Sequence, residues 1–203
     1  MMDDDIESTT LKAYYLRVTL QDSTPLIWRD IIVPSNLTLE DLHYVIQAAM
    51  GWNNDHLHHF IADNILYADI NHHNNPYHEN TGNELNESSY TISQLLPEEK
   101  TSILYEYDLS DSWLHKIELR RILPAHDVYA IKPHCVKGKG ACPPESCGGI
   151  WGYADILNTL QNADTETKNE LLTSIGENFD PERFDLENVN RILKRLVMLS
   201  TRL

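Results

Sequence analysis

The chain has 203 residues, 41% hydrophobic and 23% charged, which is the usage of an ordinary globular domain and not of a collagen, a coiled coil or a disordered polymer. Sixteen Lys and Arg against 31 Asp and Glu leave a net charge of −15, which speaks against direct nucleic-acid binding and against an anionic membrane surface. No run of about 18 apolar residues is present, the start Met1-Met2-Asp3-Asp4-Asp5 is acidic, and the cysteines number three, so a reduced, cytoplasmic protein with no membrane span is expected.

Residues 1–12 read as a disordered acidic N-terminus and 13–203 as a single α+β domain, sheet-rich over 13–123 and made of loop and helices over 124–203. Alternation and aromatic or β-branched residues predict a strand over 13–20. Ser23-Thr24-Pro25 supplies a turn, and 26–33 is the hairpin partner, ended by Pro34. Thr38 with Asp41 forms a capping-box pattern ahead of Leu39, Leu42, Ile46, Ala49 and Met50, with Gly51 as the stop, so a helix is predicted there. Strands follow at 56–62 and 65–67, then a polar Asn- and His-rich loop over 71–89 and one helical turn near 91–96. Two more strands, 103–107 and 113–122, are joined by the acidic turn Asp108-Leu109-Ser110-Asp111. This order predicts a mixed or antiparallel β-grasp-like sheet with a helix packed across it.

Residues 134–152 carry all three cysteines, five glycines and Pro143-Pro144, and read as a compact loop. A helical C-terminal tail follows: 153–160, then 166–175, then a last helix with Asp180 as N-cap and Pro181 at its first position. Leu186, Val189, Ile192, Leu193, Leu196 and Val197 form the apolar stripe of that last helix, and Arg191, Lys194, Arg195 and Arg202 are its basic residues.

Several motifs occur in a distinctive order: Tyr15-x-Arg17-Val18, Ile27-Trp28-Arg29, Leu42-His43 through Met50-Gly51-Trp52, and His56-Leu57-His58 before Phe60. Tyr105-x-Tyr107-Asp108 follows with Asp111-x-Trp113-x-His115, and then Cys142-Pro143-Pro144-Glu145 running to Gly148-Gly149 and Gly152-Tyr153. Over roughly residues 13–160 the chain resembles the plasmid pRi ORF-three-like family, some of whose members carry the label of a TnpR passenger protein of an insertion element. That label implies a link to mobile elements through genetic neighbourhood. The chain has Ser110-Asp111 where the family usually has Gly-Asp, and Glu145-Ser146 where it usually has Glu-Asp.

Two clusters could carry chemistry. On alternating strands His56 and His58 share one face, as do Asp111, Trp113 and His115. With Asp108, the histidines and Asp111 offer the ligand set of a zinc, manganese or iron site, with Glu145 as the base of a metal-dependent reaction, or a histidine base oriented by Asp. The alternation of His115 with Trp113, Ile117 and Leu119 instead places it on a core-facing side. Cys135, Cys142 and Cys147 could hold zinc with His115, His126 or His134 as fourth ligand, although their spacing is not that of paired Cys-x-x-Cys knuckles. Lys137 and Lys139 could also favour a reactive thiolate, while packed free thiols are the plainer account.

With no catalytic triad, cofactor fingerprint or phosphate loop legible in the chain, the expected function is a non-catalytic binding or accessory module with a protein partner. A metal-dependent hydrolase built on the His/Asp cluster is the alternative.

Overall fold

The computed structural model describes residues 12–70, 84–124 and 132–200. Expectations for residues 1–11, for the His72-His73 and His78 stretch, and for His126 and Arg202 fall outside the described residues.

The N-terminal hairpin forms as its alternation requires. β1 (Ala13–Leu20) and β2 (Trp28–Pro34) pair antiparallel from Ala13 opposite Pro34 to Thr19 opposite Trp28. Ser23 closes the turn, its hydroxyl donating to Leu20 O and accepting from Ile27 N–H, both at 2.9 Å. α1 (Leu39–Met50) begins at Thr38, whose hydroxyl accepts from Asp41 N–H at 3.0 Å, and ends at Gly51 with φ +103°. Only half of the capping box forms, because the Asp41 carboxylate takes the Thr38 hydroxyl, at 2.8 Å, and not a backbone N–H.

β3 (His58–Ala62), β4 (Ile65–Ala68), β5 (Glu84–Asn86), β6 (Ser102–Tyr107), β7 (Trp113–Leu123) and β8 (His134–Lys139) complete one eight-stranded sheet, ordered β5-β4-β3-β6-β7-β1-β2-β8. Every neighbouring pair is antiparallel except β4 with β5, which makes the sheet mixed, as expected. The four-residue turn α2 (Ile92–Leu95) lies between β5 and β6. The tail then runs through α3 (Gly149–Asn162), α4 (Thr165–Ile175) and α5 (Leu186–Ser200). Among the described residues no helix is long and apolar enough to cross a membrane.

One core joins the apolar face of α1 (Leu39, Leu42, Ile46, Ala49) to Leu16 and Val18 of β1, Phe60 of β3, Tyr105 of β6 and Ile117 of β7, with Val189 and Leu193 of α5. Trp52 and Trp113 are buried in it, whereas Trp151 stands 82% exposed on α3.

Three sequence expectations change. Residues 134–139 are a strand where a loop was expected, because β2 leaves an open edge that this segment fills with a bulge between Asp30 and Ile31. The outer edge of β8 is then covered by α5: Asn190 accepts from Cys135 N–H and donates to Cys135 O, both at 2.9 Å. The stretch expected as loop up to 89 contains β5 and a single 3-10 turn over Glu87–Ser89. Asp180 caps only a turn, accepting from Glu182 N–H, and the last helix starts instead after Asp185, whose carboxylate accepts from Asn188 N–H at 2.9 Å. The cause is tertiary: Phe184 is held under the Arg29 guanidinium, 4.3 Å from it, so the chain cannot coil until it has passed that contact.

Candidate functional site

α1 carries two polar side chains on its buried face, His43 and Gln47, one helical turn apart. They are satisfied by a closed ring of hydrogen bonds. Gln47 Nε2 donates to Tyr105 OH at 3.0 Å, and that hydroxyl lies 2.7 Å from His43 Nδ1. His43 Nε2 meets Asn54 Oδ1 at 2.6 Å, and Asn54 N–H donates back to Gln47 Oε1 at 3.1 Å. Because Asn54 Oδ1 can only accept, the proton of His43 sits on Nε2 and Nδ1 accepts from Tyr105. Burial, and secondarily His58, pushes the His43 imidazole down to about 2, so it is neutral.

His58, at the start of β3, stacks on His43 with ring centroids 3.4 Å apart and planes 5° from parallel. Its Nε2 faces both oxygens of Glu87, at 3.1 and 3.0 Å. Glu87 is 2% exposed, and burial followed by the charge of Asp69 raises its carboxyl to about 8. At neutral pH it keeps its proton and donates to His58. Around this floor opens a cleft of about 460 Å³, whose walls include Glu40, Asp55, His56, Asp69 and Asp108, with Tyr44 among its lining residues and 43% exposed. Burial, then Glu87, Asp41 and Asp69, also raises Glu40.

Asp108 sits at φ +56° in the β6–β7 turn, a conformation Asp tolerates better than most residues. Its Oδ1 accepts from Ser110 N–H at 3.1 Å, from the Ser110 hydroxyl at 2.5 Å and from Asp111 N–H at 3.3 Å. Burial alone would raise this carboxyl, but those donors outweigh it and hold Asp108 below the usual carboxylate range. His56 Nδ1 lies 3.5 Å from Asp108 Oδ2, and its Nε2 lies 3.3 Å from the Ser146 hydroxyl.

The 140–148 loop reaches this turn because two glycines let it. A Cβ at Gly149 would run into the Asp111 carbonyl, and one at Gly152 into the Cys147 carbonyl. Asp111 pins the approach by accepting Gly148 N–H at 3.0 Å. Glu145 is fixed by Tyr107 OH at 2.5 Å and Asn53 N–H at 3.1 Å. Trp52 Nε1 donates to Pro143 O at 3.1 Å.

The expected cluster is thus divided. His56, Asp108, Asp111 and Glu145 gather where α1, the β6–β7 turn and the 140–148 loop meet, while His58 turns to Glu87 and His43. His115 does not join them. It is fully buried, its Nδ1 donates to Trp113 O at 2.8 Å, and burial lowers it to about 4. Trp113 is equally internal, at 1% exposure. Cys135 is buried on β8 with its thiol 3.6 Å from Lys137 O, and the Cys147 thiol lies 4.0 Å from Gly149 O. Burial raises all three thiols, those of Cys135 and Cys147 to about 11, which favours neutral thiols over a reactive thiolate. Among the described residues no three His, Cys, Asp or Glu side chains are grouped as a metal ion would require.

Sequence reasoning gave no site role to His43, Glu87, Tyr105 or Ser146. His43 and Gln47, an i, i+4 polar pair on an apolar helix face, were the available signal for the first. Glu87 lay in a polar stretch with no period.

Among known proteins, the family model described as plasmid pRiA4b ORF-3-like protein matches residues 12–188. A Sinorhizobium fredii protein, the uncharacterized y4hQ, is 31% identical over 183 residues, covering 89% of this chain and 90% of its own. The crystal structure of MM3350, a protein of unknown function from Methanosarcina mazei, superposes with a TM-score of 0.74 at 34% identity, covering 89% of this chain and 98% of that one. The chain therefore belongs to the plasmid pRiA4b ORF-3-like family.

Proposed function

We propose that the protein is a binding module whose cleft receives a positively charged group, an arginine or lysine side chain presented by a partner protein. One observation carries this reading. Five acidic side chains (Glu40, Asp55, Asp69, Glu87 and Asp108) line the cleft, Glu87 in its protonated form at neutral pH, and no lysine or arginine is among its described lining residues. Burial is the larger cause of the raised Glu40 and Glu87 carboxyls, and the charge of Asp69 adds to both, a repulsion that a cation in the cleft relieves. Tyr44 adds an aromatic face of the kind on which a guanidinium or ammonium packs. The overall charge of −15 draws a basic segment in from a distance.

Isothermal titration with a hexa-arginine peptide, beside a hexaglutamate peptide, tests it. The arginine peptide is expected to bind at low salt, to weaken as salt is added, and to weaken about fivefold further in a Glu40→Gln/Asp55→Asn double variant, since each is an exposed charge of modest individual effect. Equal binding of both peptides, or no loss in the double variant, would overturn the assignment.

A metal held by either sequence cluster would show in elemental analysis of untagged protein. Zinc near one equivalent, lost in His58→Ala, would restore the hydrolase alternative, and loss only in Cys142→Ser would make the ion structural. The binding module requires neither.

A further inference from the structure

We propose that Ser146, His56 and Asp108 form an acyl-transfer triad beside the cleft, with Ser146 as nucleophile. The contacts run in the order such a triad needs. The Ser146 hydroxyl faces His56 Nε2 at 3.3 Å, and His56 Nδ1 faces Asp108 Oδ2 at 3.5 Å. Both distances are long for finished hydrogen bonds, as catalytic contacts commonly are before substrate closes the site. The base is oriented by a carboxylate that is itself immobilised: Asp108 is 3% exposed and its other oxygen accepts three hydrogen bonds from Ser110 and Asp111. It remains ionised, so it can hold the Nδ1 proton and stabilise the imidazolium when His56 takes up a second one.

Ser146 is placed as a nucleophile has to be. It is exposed, and it sits at φ +57°, a conformation few residues other than glycine adopt. The stiff Pro143-Pro144 pair precedes it and α3 starts three residues later, so the side chain stands on a sharp bend at the entrance to a helix. Gly149 and Gly152 bring the bend against the turn that carries Asp108, and the Asp111–Gly148 hydrogen bond locks the two together.

The chemistry balances with water as the only co-reactant. Ser146 Oγ bonds to the carbonyl carbon of an ester or amide while its proton passes to His56 Nε2. The tetrahedral adduct collapses, the bond to the leaving oxygen or nitrogen breaks, and that atom takes the proton from His56. Water then attacks the acyl-serine, giving its proton to His56. The acid departs and Ser146 regains its hydroxyl. The triad rests on its own geometry. Only the positive charge expected on the substrate rests on the cleft reading.

A fluorophosphonate probe, read by intact mass and peptide mapping, tests the nucleophile, and hydrolysis of p-nitrophenyl acetate tests turnover. The adduct is expected on Ser146 and absent in Ser146→Ala. Labelling and turnover are expected to fall about a hundredfold in His56→Gln and at least tenfold in Asp108→Asn. Ser146→Gly, which keeps the backbone conformation, serves as a folded control by its melting curve and should be equally inert. No adduct, an adduct elsewhere, or unchanged turnover in Ser146→Ala would overturn the triad. Comparing arginine ethyl ester with glutamate ethyl ester separates the two ideas. Turnover without preference for arginine leaves the triad standing and removes the cationic cleft, and peptide binding without an adduct does the reverse.

Discussion

Arg29→Ala is expected to cost on the order of 5 kcal/mol in urea unfolding, enough to leave little folded protein in a domain of ordinary stability. The guanidinium is 1% exposed and has no carboxylate against it among the contacts described. It is held by backbone carbonyls alone. Nε donates to Ala49 O at 2.8 Å, one terminal nitrogen donates to Trp28 O at 2.9 Å and Lys139 O at 2.8 Å, and the other donates to Gly140 O at 2.9 Å. One planar fork thereby joins the end of α1, strand β2 and the segment after β8, with Phe184 stacked beneath it. Truncation leaves four acceptors short of a donor and opens a void over the Phe184 ring. Arg29→Lys keeps the charge, but three donors on a point cannot span three directions, and about half of that loss is expected. Equal unfolding midpoints for wild type and Arg29→Lys would show that charge and not the fork is what the site requires.

Glu87→Gln is expected to stabilise the protein above pH 8 and to leave it nearly unchanged near pH 4.5. The folded carboxyl is raised to about 8 from its ordinary value of 4.5, so the folded state binds this proton more tightly than the unfolded chain does. Stability from this group is whole below pH 4.5, falls as pH rises between 4.5 and 8, and stays at its reduced level above. A glutamine keeps a donor toward His58 and carries no charge to desolvate, so it escapes that fall. Unfolding free energies of both proteins from pH 5 to pH 9 check this: the gap should widen as pH rises to about 8 and level off there, at roughly 4 to 5 kcal/mol. A constant gap would mean that His58 and Glu87 already share an ion pair across the range. Asp108 works in the opposite sense, because its carboxyl is depressed and its contribution is lost as pH falls through its folded value.

What could be read from the chain follows from which forces were local. α1 was legible to its ends because Thr38, the apolar period and Gly51 all act within one element. The same holds for β1, β6 and β7, whose alternation reports the face they bury. β8 was not legible: His134-Cys135-Val136-Lys137-Gly138-Lys139 has weak strand propensity and is a strand only because β2 offers it an edge. The start of α5 was misplaced for the same kind of reason, since Asp180-Pro181 is a sound local signal that the Phe184–Arg29 contact overrides.

At the site, His56, Asp108, Asp111 and Glu145 were recognisable from residue type, but their division from His58 was not. That division depends on Glu87 reaching in from the 3-10 turn after β5 and on His43 rising from α1. Ser146 was noted only as standing where the family usually has Asp, and was given no role because a lone serine in a Gly/Pro-rich stretch resembles any turn. Only the approach of that loop to the β6–β7 turn gives it a partner.

The strand order also shapes how the molecule must be made. β1 lies inside the sheet with β2 on one side and β7 on the other, so it pairs with a strand that follows about a hundred residues later. Until β7 and β8 are synthesised, the opening hairpin shows two bare edges to its surroundings, and such edges invite pairing with other nascent chains. The sheet cannot be finished piecemeal from the N-terminus. The block from β3 to β7 closes one side of β1 and β8 closes the far side of β2, which makes the fold late, cooperative and dependent on contacts distant in sequence.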